Sequence, residues 1–270
     1  MPSAKITSLT NPHVKRIIKL RDRTERNQTN ATIIEGAREF LCAYEAGVKL
    51  THVYVDPSAL ADPAVRKILE RLNQGGVDVL ETSPEVFNKM SYGDRREGIL
   101  AVGEPSVFSL KDLKFKKNPL LVVVEAVEKP GNLGAILRTC DAASVDGLIL
   151  CDPRTDVYNP NVIRASLGAV FSVPVALGSR QDVRNFLKEK RILICAAAPQ
   201  AKKLYTAINF RAPTAIVLGN EDKGLSDFWR QAADEQINIP MMGKVDSLNV
   251  SVTTAIIVYE ALRQRNTAVR

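Results

Sequence analysis

Residues 120–139 read LLVVVEAVEKPGNLGAILRT. The first five, Leu120–Val124, are wholly apolar and rich in β-branched valine, the composition of a strand buried on both faces. A loop of small and polar residues follows. Pro130-Gly131-Asn132 then marks a turn, with Asn132 placed to cap a helix that begins near Leu133. A buried strand that passes through a glycine-containing loop into a helix is the building unit of a parallel α/β sheet. Ligands of open α/β sheets bind beyond the carboxyl ends of the strands, so the loop after Val124 is a place to look for chemistry.

The same alternation extends in both directions. Toward the C-terminus, strands are expected at Leu148–Leu150, Val173–Ala176, Ile192–Ala196, Ala215–Leu218 and Ile237–Ile239, with a last helix from about Asn249 to Arg263. Toward the N-terminus, strands are expected at Ala31–Ile34, Thr51–Val55, Val77–Leu80 and Ile99–Val102, and helices near Ala37–Ala46, Pro63–Leu72 and Pro84–Lys89. Asp62-Pro63 and Ser83-Pro84 are helix starts, a cap followed by proline at the first helical position. This reads as an α/β structure with mainly parallel sheet. The stretch GEPSVFSLKDLKFKKNP interrupts the pattern with two prolines, a glycine and a run of lysines. It marks a linker at 104–118 between an N-terminal domain, 1–103, and a C-terminal domain, 119–270.

The 270 residues suffice for two domains, and 45% apolar with 25% charged residues is an ordinary globular composition. No apolar run reaches membrane-spanning length, and MPSAKITSLT lacks the apolar core of a secretory signal, so a cytoplasmic location is expected. Cys42, Cys140, Cys151 and Cys195 are scattered and read as buried free thiols. The only histidines are His13 and His52, and no cluster has metal-ligand spacing, so no metal is expected. The formal charge of +7 suggests a polyanionic partner. Residues 1–31 carry seven Lys/Arg, including Lys15, Arg16 and Lys19, against Asp22 and Glu25. Lys111–Lys117 adds four lysines against Asp112. Either run alone would pass for a solvated surface; two together tilt the reading toward nucleic acid.

Two more segments combine glycine and polar residues at expected strand ends. Leu218–Ser226, LGNEDKGLS, has the glycine spacing of a phosphate loop, but Leu225 stands where the phosphate-pairing lysine belongs. Glu221 and Asp222 would also repel a polyphosphate, so nucleotide hydrolysis is rejected; the loop suits a neutral or cationic ligand. Ile239–Val252, IPMMGKVDSLNVSV, leads into the last helix, and Ser247 or Asn249 taken singly could be a mere cap.

Taken together, N-x-G-x-x-x-R (Asn132, Gly134, Arg138), L-G-N-E-x-x-G-L (Leu218 to Leu225), I-P-M (Ile239 to Met241) and S-L-N-V-S-V (Ser247 to Val252) resemble the three motifs of the SpoU family of RNA 2′-O-ribose methyltransferases. The resemblance covers residues 120–265. More loosely, IIEGAREF (Ile33 to Phe40) and EGILAV (Glu97 to Val102) look like the ends of the substrate-binding domain that precedes some SpoU catalytic domains, which resembles a small RNA-binding ribosomal-protein fold.

The resemblance implies a SPOUT-type α/β catalytic domain with a C-terminal trefoil knot, behind a smaller α/β RNA-binding domain. It implies S-adenosylmethionine as cofactor, held at Leu218, Gly219, Ile239, Met241 and Leu248, and a homodimer with the site near the subunit interface. It places Asn132, Arg138, Glu221, Ser247 and Asn249 at the reacting ribose, and Lys15, Arg16, Lys19 and Arg38 on RNA. The family sometimes assigns Arg138 as base, but a guanidinium stays protonated in proteins, and the residue could instead hold a phosphate and stabilise the forming alkoxide. The subgroup suggested acts on large-subunit ribosomal RNA, among them thiostrepton-resistance-like enzymes. A tRNA substrate, or a non-catalytic RNA-binding or ribosome-assembly role on the same fold, are the alternatives.

Overall fold

Apolar runs of four to seven residues, separated by capped helices, fold into two sheets. A computed structural model describes residues 3–93, 97–220 and 222–266. The chain divides into two compact units, one of residues 1–106 with 156–172 and one of 107–155 with 173–270.

The first unit contains β1 (Ser3–Ile6), α1 (Pro12–Lys19), α2 (Arg23–Thr29), β2 (Thr32–Glu35), α3 (Ala37–Glu45), β3 (Lys49–Val55), α4 (Pro63–Gln74), β4 (Asp78–Thr82), α5 (Pro84–Met90) and β5 (Ile99–Glu104). Its sheet has the order β1-β4-β3-β5-β2, with β5 antiparallel to both neighbours, so it is mixed rather than mainly parallel. Side chains alternate across it, as the strand period of two requires. Tyr54, Leu100 and Val102 join Val14, Ile17 and Phe87 of α1 and α5 in one core. Val53, Val55, Ile99 and Ala101 join Phe40, Ala43, Val65 and Ile68 of α3 and α4 in the other.

The second unit contains β6 (Leu120–Glu125), α6 (Pro130–Ala142) and β7 (Gly147–Cys151). The chain then contributes α7 (Pro160–Ala165) and α8 (Ala169–Ser172) to the first unit. It returns as β8 (Val175–Gly178), α9 (Arg180–Glu189), β9 (Leu193–Ala197), β10 (Lys203–Leu204), β11 (Thr214–Leu218), α10 (Asp227–Ala232), β12 (Glu235–Asn238) and α11 (Val250–Asn266). All seven strands are parallel, in the order β10-β12-β9-β11-β6-β7-β8. Both faces of such a sheet must be covered, and β6, β7 and β11 are buried along their whole length.

Two expectations are corrected here. Residues 104–118 are not a free connector: Leu113 is buried in the second unit's core, with Leu110 and Phe115 packed against it, because the run's apolar residues fall between its lysines. Asn132 is not the cap of α6, which starts at Pro130 behind Lys129; it lies inside the first turn. Apart from these, part of the basic N-terminal run serves the fold. Arg21 donates to the carbonyls of Lys89, Met90 and Ser91 at the end of α5, and Arg26 is buried.

Cys140, Cys151 and Cys195 are buried, and burial pushes each thiol up to about 12, so they stay protonated and inert. Cys42 is only partly buried.

Arg26 joins the two sequence segments of the first unit. Its Nε and Nη2 lie 2.8 Å from Asp156 Oδ2, and Nη1 donates to the carbonyls of Leu20 and Arg21. Asp156 is 15% exposed and Arg26 5%. Replacing Arg26 by Ala leaves a carboxylate and two carbonyls without their donor and should cost about 3 kcal/mol. Urea denaturation followed by circular dichroism checks this; an unchanged midpoint would show that the pair contributes nothing net.

Candidate active site

Because β9, β11 and β12 are parallel neighbours, their carboxyl ends open on one edge of the second sheet. A cavity of about 280 Å³ lies there. Its floor is formed by Ala197–Gln200 after β9, Leu218–Asn220 after β11 and Ile237–Ile239 at β12. Met241, Asp246, Ser247 and Leu248 line it as well, together with Val250, Thr253 and Ile257 of α11.

The loop after β11 is folded by its own polar groups. Asn220 and Gly224 exchange backbone hydrogen bonds at 3.1 and 3.0 Å. Asn220 Oδ1 accepts from the backbone N–H of Asp222 and Lys223, while its Nδ2 donates to Ala126 O at 2.9 Å. The amides of residues 220 and 224 are therefore consumed inside the loop rather than offered to an anion, which agrees with rejecting a phosphate loop. The loop's exit is held by Glu125, a buried carboxylate at the end of β6 that accepts from Ser226 N at 2.9 Å and Ser226 Oγ at 2.7 Å.

Gly219 is required by the loop itself. A Cβ there would lie 2.1–2.3 Å from backbone atoms of Gly224 and Leu225, so glycine permits the loop's own closure rather than an approach to ligand. Gly224 has φ +65°, the left-handed region that glycine tolerates.

Leu218, Gly219, Ile239, Met241, Leu248 and Ser247 all line the cavity. Asn132 and Asn249 are brought together from opposite ends of the unit, Asn249 Nδ2 donating to Asn132 Oδ1 at 3.0 Å. Asn249 is also the cap of α11: its Oδ1 accepts from Ser251 N at 2.9 Å and Ser251 Oγ at 2.7 Å. The capping role and the site role therefore coincide in one side chain. Arg138 is exposed on α6. Six residues after Asn132 it lies roughly 120° around the helix from it, so one chain does not present both on one face. Glu221 lies outside the described residues. In the first unit Lys15, Arg16 and Lys19 are exposed on α1, and Arg38 is exposed on α3, on the opposite layer of the sheet.

Sequence reasoning missed Glu125, Asn220 and Asn238. Glu125 was signalled by an acid ending an otherwise apolar run, and Asn220 by an Asn directly after a strand and glycine. Asn238 had no signal. Its Oδ1 is buried at the cavity with no hydrogen-bond partner among the described residues.

A model of the SpoU rRNA Methylase family matches residues 119–259. The chain belongs to this family. A model of the MRM3-like substrate binding domain matches residues 11–101. The chain is 32% identical, over 80% of its length and 90% of the relative's, to the 23S rRNA (guanosine-2′-O-)-methyltransferase RlmB of Bordetella pertussis. Among solved structures it resembles an RNA 2′-O ribose methyltransferase with a TM-score of 0.85 and 38% identity, over 97% of this chain and 100% of that one. It also resembles an S-adenosylmethionine-bound rRNA methyltransferase from Sinorhizobium meliloti, with a TM-score of 0.88 and 29% identity over 96% and 97% of the two chains.

Within this SpoU chain, Gly219→Ala should lower the melting temperature and weaken S-adenosylmethionine binding at least roughly tenfold, since a Cβ in backbone contact must open the loop that forms the cavity wall. Calorimetry on the folded variant checks it. Wild-type affinity would show that the loop opens without disturbing the cavity.

Proposed function

We propose that this protein transfers a methyl group from S-adenosylmethionine to a ribose 2′-hydroxyl of large-subunit ribosomal RNA, in the cytoplasm. The observation that carries this reading is the convergence of three separate segments, after β9, β11 and β12, on one cavity, with Asn249, between the lining residues Leu248 and Val250, hydrogen-bonded to Asn132 of the segment after β6.

The cavity fits the cofactor. Leu218, Ile239 and Leu248 supply apolar walls for an adenine, and the unpartnered Asn238 Oδ1 is an acceptor that an amino group would satisfy. Asp222 and Asp246 line the cavity together with Lys223 and Arg230, so its charged groups are balanced rather than a cationic phosphate clamp. When bound, S-adenosylmethionine supplies a methyl group on a positively charged sulfur that leaves as a neutral sulfide.

The remaining work falls to the chain. Asn132 and Asn249 orient the ribose by amide hydrogen bonds, and Ser247, on the cavity wall, adds a hydroxyl. Arg138 holds an RNA phosphate and stabilises negative charge growing on the 2′-oxygen as its proton departs. Glu221 pairs with Arg138 or receives that proton. The match of residues 11–101 to a substrate binding domain supports RNA contact by the first unit, through Lys15, Arg16 and Lys19 on α1, with Arg38 reaching RNA from the other layer.

A homodimer completes the reading. On α11, Val252 is 45% and Tyr259 49% exposed; seven residues apart, they share one face. Met242 and Val245 are exposed in the segment that leads into this helix. An apolar surface of this kind beside a site marks a protein interface, and a second subunit would supply the Arg138 that one chain holds apart from Asn132. We place the family's trefoil knot in the stretch from β11 to α11, which forms most of the cavity.

Incubating the protein with tritiated S-adenosylmethionine and large-subunit rRNA should place label in alkali-resistant dinucleotides, the mark of 2′-O-methylation; label on bases alone would overturn the proposal. Arg138→Ala should reduce turnover by at least roughly a hundredfold with cofactor affinity retained, and near wild-type turnover would remove its assigned role. Tyr259→Glu with Val252→Glu should convert a dimer to a monomer in light scattering; a wild-type monomer would refute the interface.

A further inference from the structure

The second unit carries a charge concentration that neither the cavity nor the first unit uses. Residues 107–118 hold Lys111, Lys114, Lys116 and Lys117 against Asp112. The stretch 179–191, which contains α9, holds Arg180, Arg184, Lys188, Lys190 and Arg191 against Asp182 and Glu189. Far apart in sequence, the two stretches are packed together. The Phe115 ring meets Phe186 edge-on at 6.1 Å between centroids. Leu110 and Leu113 pack into the cluster that contains Val183, Phe186 and Leu187 of α9. The two stretches together carry a net charge of +6, against +7 for the entire chain.

Few of these charges are answered. Lys188 lies 2.5 Å from Asp234, Arg180 3.3 Å from Asp152, and Lys190 3.7 Å from its neighbour Glu189. Asp112 and Asp182 are occupied by the hydroxyls of Ser109 and Ser179. Lys111, Lys114, Lys116, Lys117, Arg184 and Arg191 have no ion pair among the described residues, and all but the half-buried Arg184 are exposed. Gathering like charges on one face costs folding free energy, which an anionic partner would recover.

The 107–118 stretch also carries an aromatic ring. Phe108 joins the edge of the sheet, its N–H donating to Val175 O at 3.1 Å, and its side chain remains 45% exposed. An exposed ring beside lysines is the pairing that holds unpaired nucleotides, stacking for the base and charge for the phosphate. A lipid surface is a poorer match, because the apolar residues of α9 are turned inward and buried.

We propose that residues 107–118 and α9 form a second RNA-binding surface, on the catalytic unit itself, that takes the phosphate backbone of the substrate beyond the target nucleotide, with Phe108 stacked on an unpaired base. The inference rests on the RNA substrate proposed above. β8 and β11 are three strand spacings apart, roughly 14 Å, and Lys116 and Lys117, just before β6, lie about one strand length, roughly 17 Å, from the carboxyl ends where the cavity opens, a span of roughly 22 Å that several nucleotides bridge.

The test is fluorescence anisotropy with a labelled large-subunit rRNA transcript, measured over a range of KCl concentrations. It compares wild type with a variant carrying Lys114→Gln, Lys116→Gln, Lys117→Gln and Arg184→Gln. Removing four phosphate contacts should flatten the plot of log affinity against log salt by about 3. The Kd at physiological salt should rise at least roughly tenfold, with melting temperature and S-adenosylmethionine affinity unchanged. Phe108→Ala should weaken binding with the slope retained. If wild type binds the transcript and the fourfold variant shows the same slope, the surface is refuted while the substrate reading stands. If wild type neither binds nor methylates the transcript, the substrate reading falls and the surface with it.

Discussion

The parallel pairing of β6 with β11 is the constraint on which the site depends. Their register sets Val124 opposite Leu218, so the two chains leave the sheet at the same level and their loops start as neighbours. Backbone groups released there at the edge of a buried sheet still need partners. They find them between the loops: Asn220 reaches Ala126 O, and Glu125 takes both the N–H and the hydroxyl of Ser226. Shifting the register by one residue would turn each strand's side chains to the opposite face and separate these anchors. The cavity is thus a consequence of strand pairing, with the loop after β11 tied at its start and at its end to the strand beside it.

This arrangement explains why the loop needs glycine at two places for two reasons. At Gly219 the opposing backbone leaves no room for a Cβ, and at Gly224 the chain turns through positive φ to come back onto Asn220. Asp222 then lies on a loop whose amides at 220 and 222–224 are spent internally. A phosphate loop does the reverse, pointing its amides at the ligand. Two loops of similar glycine spacing therefore select ligands of opposite charge, and the difference lies in where the N–H groups go.

Much of the fold was legible from period and punctuation. Strand positions in both units, the capped starts at Pro63 and Pro84 and the last helix follow from local rules. What was not legible depended on pairing between distant segments. Nothing local shows that β5 runs antiparallel to both neighbours, or that 156–172 joins the first unit through Asp156 and Arg26. The motif residues Leu218, Gly219, Ile239, Met241, Ser247 and Leu248 were legible through the resemblance of their segments to the SpoU motifs, and all of them line the cavity. Asn238 was hidden because an Asn at the end of a strand is unremarkable until its oxygen is found buried without a partner.

Charge shows the limit of counting most clearly. The N-terminal run has more basic residues than either of the other two basic stretches, yet Arg21 is spent on the carbonyls that end α5 and Arg26 on a buried carboxylate and two more carbonyls. Guanidinium forks suit both tasks, since several fixed donors can satisfy several acceptors at once. The shorter list of exposed cations that remains on α1 is rich in lysine, and the 107–118 stretch is lysine alone. Lysine's single charge on a flexible stem is poorly suited to satisfying buried carbonyls and well suited to following a backbone of phosphates. In the N-terminal run and the 107–118 stretch the cations that hold the fold are arginines and those left to meet a polyanion are lysines together with Arg16, and the second group falls on both units rather than on the basic N-terminus alone.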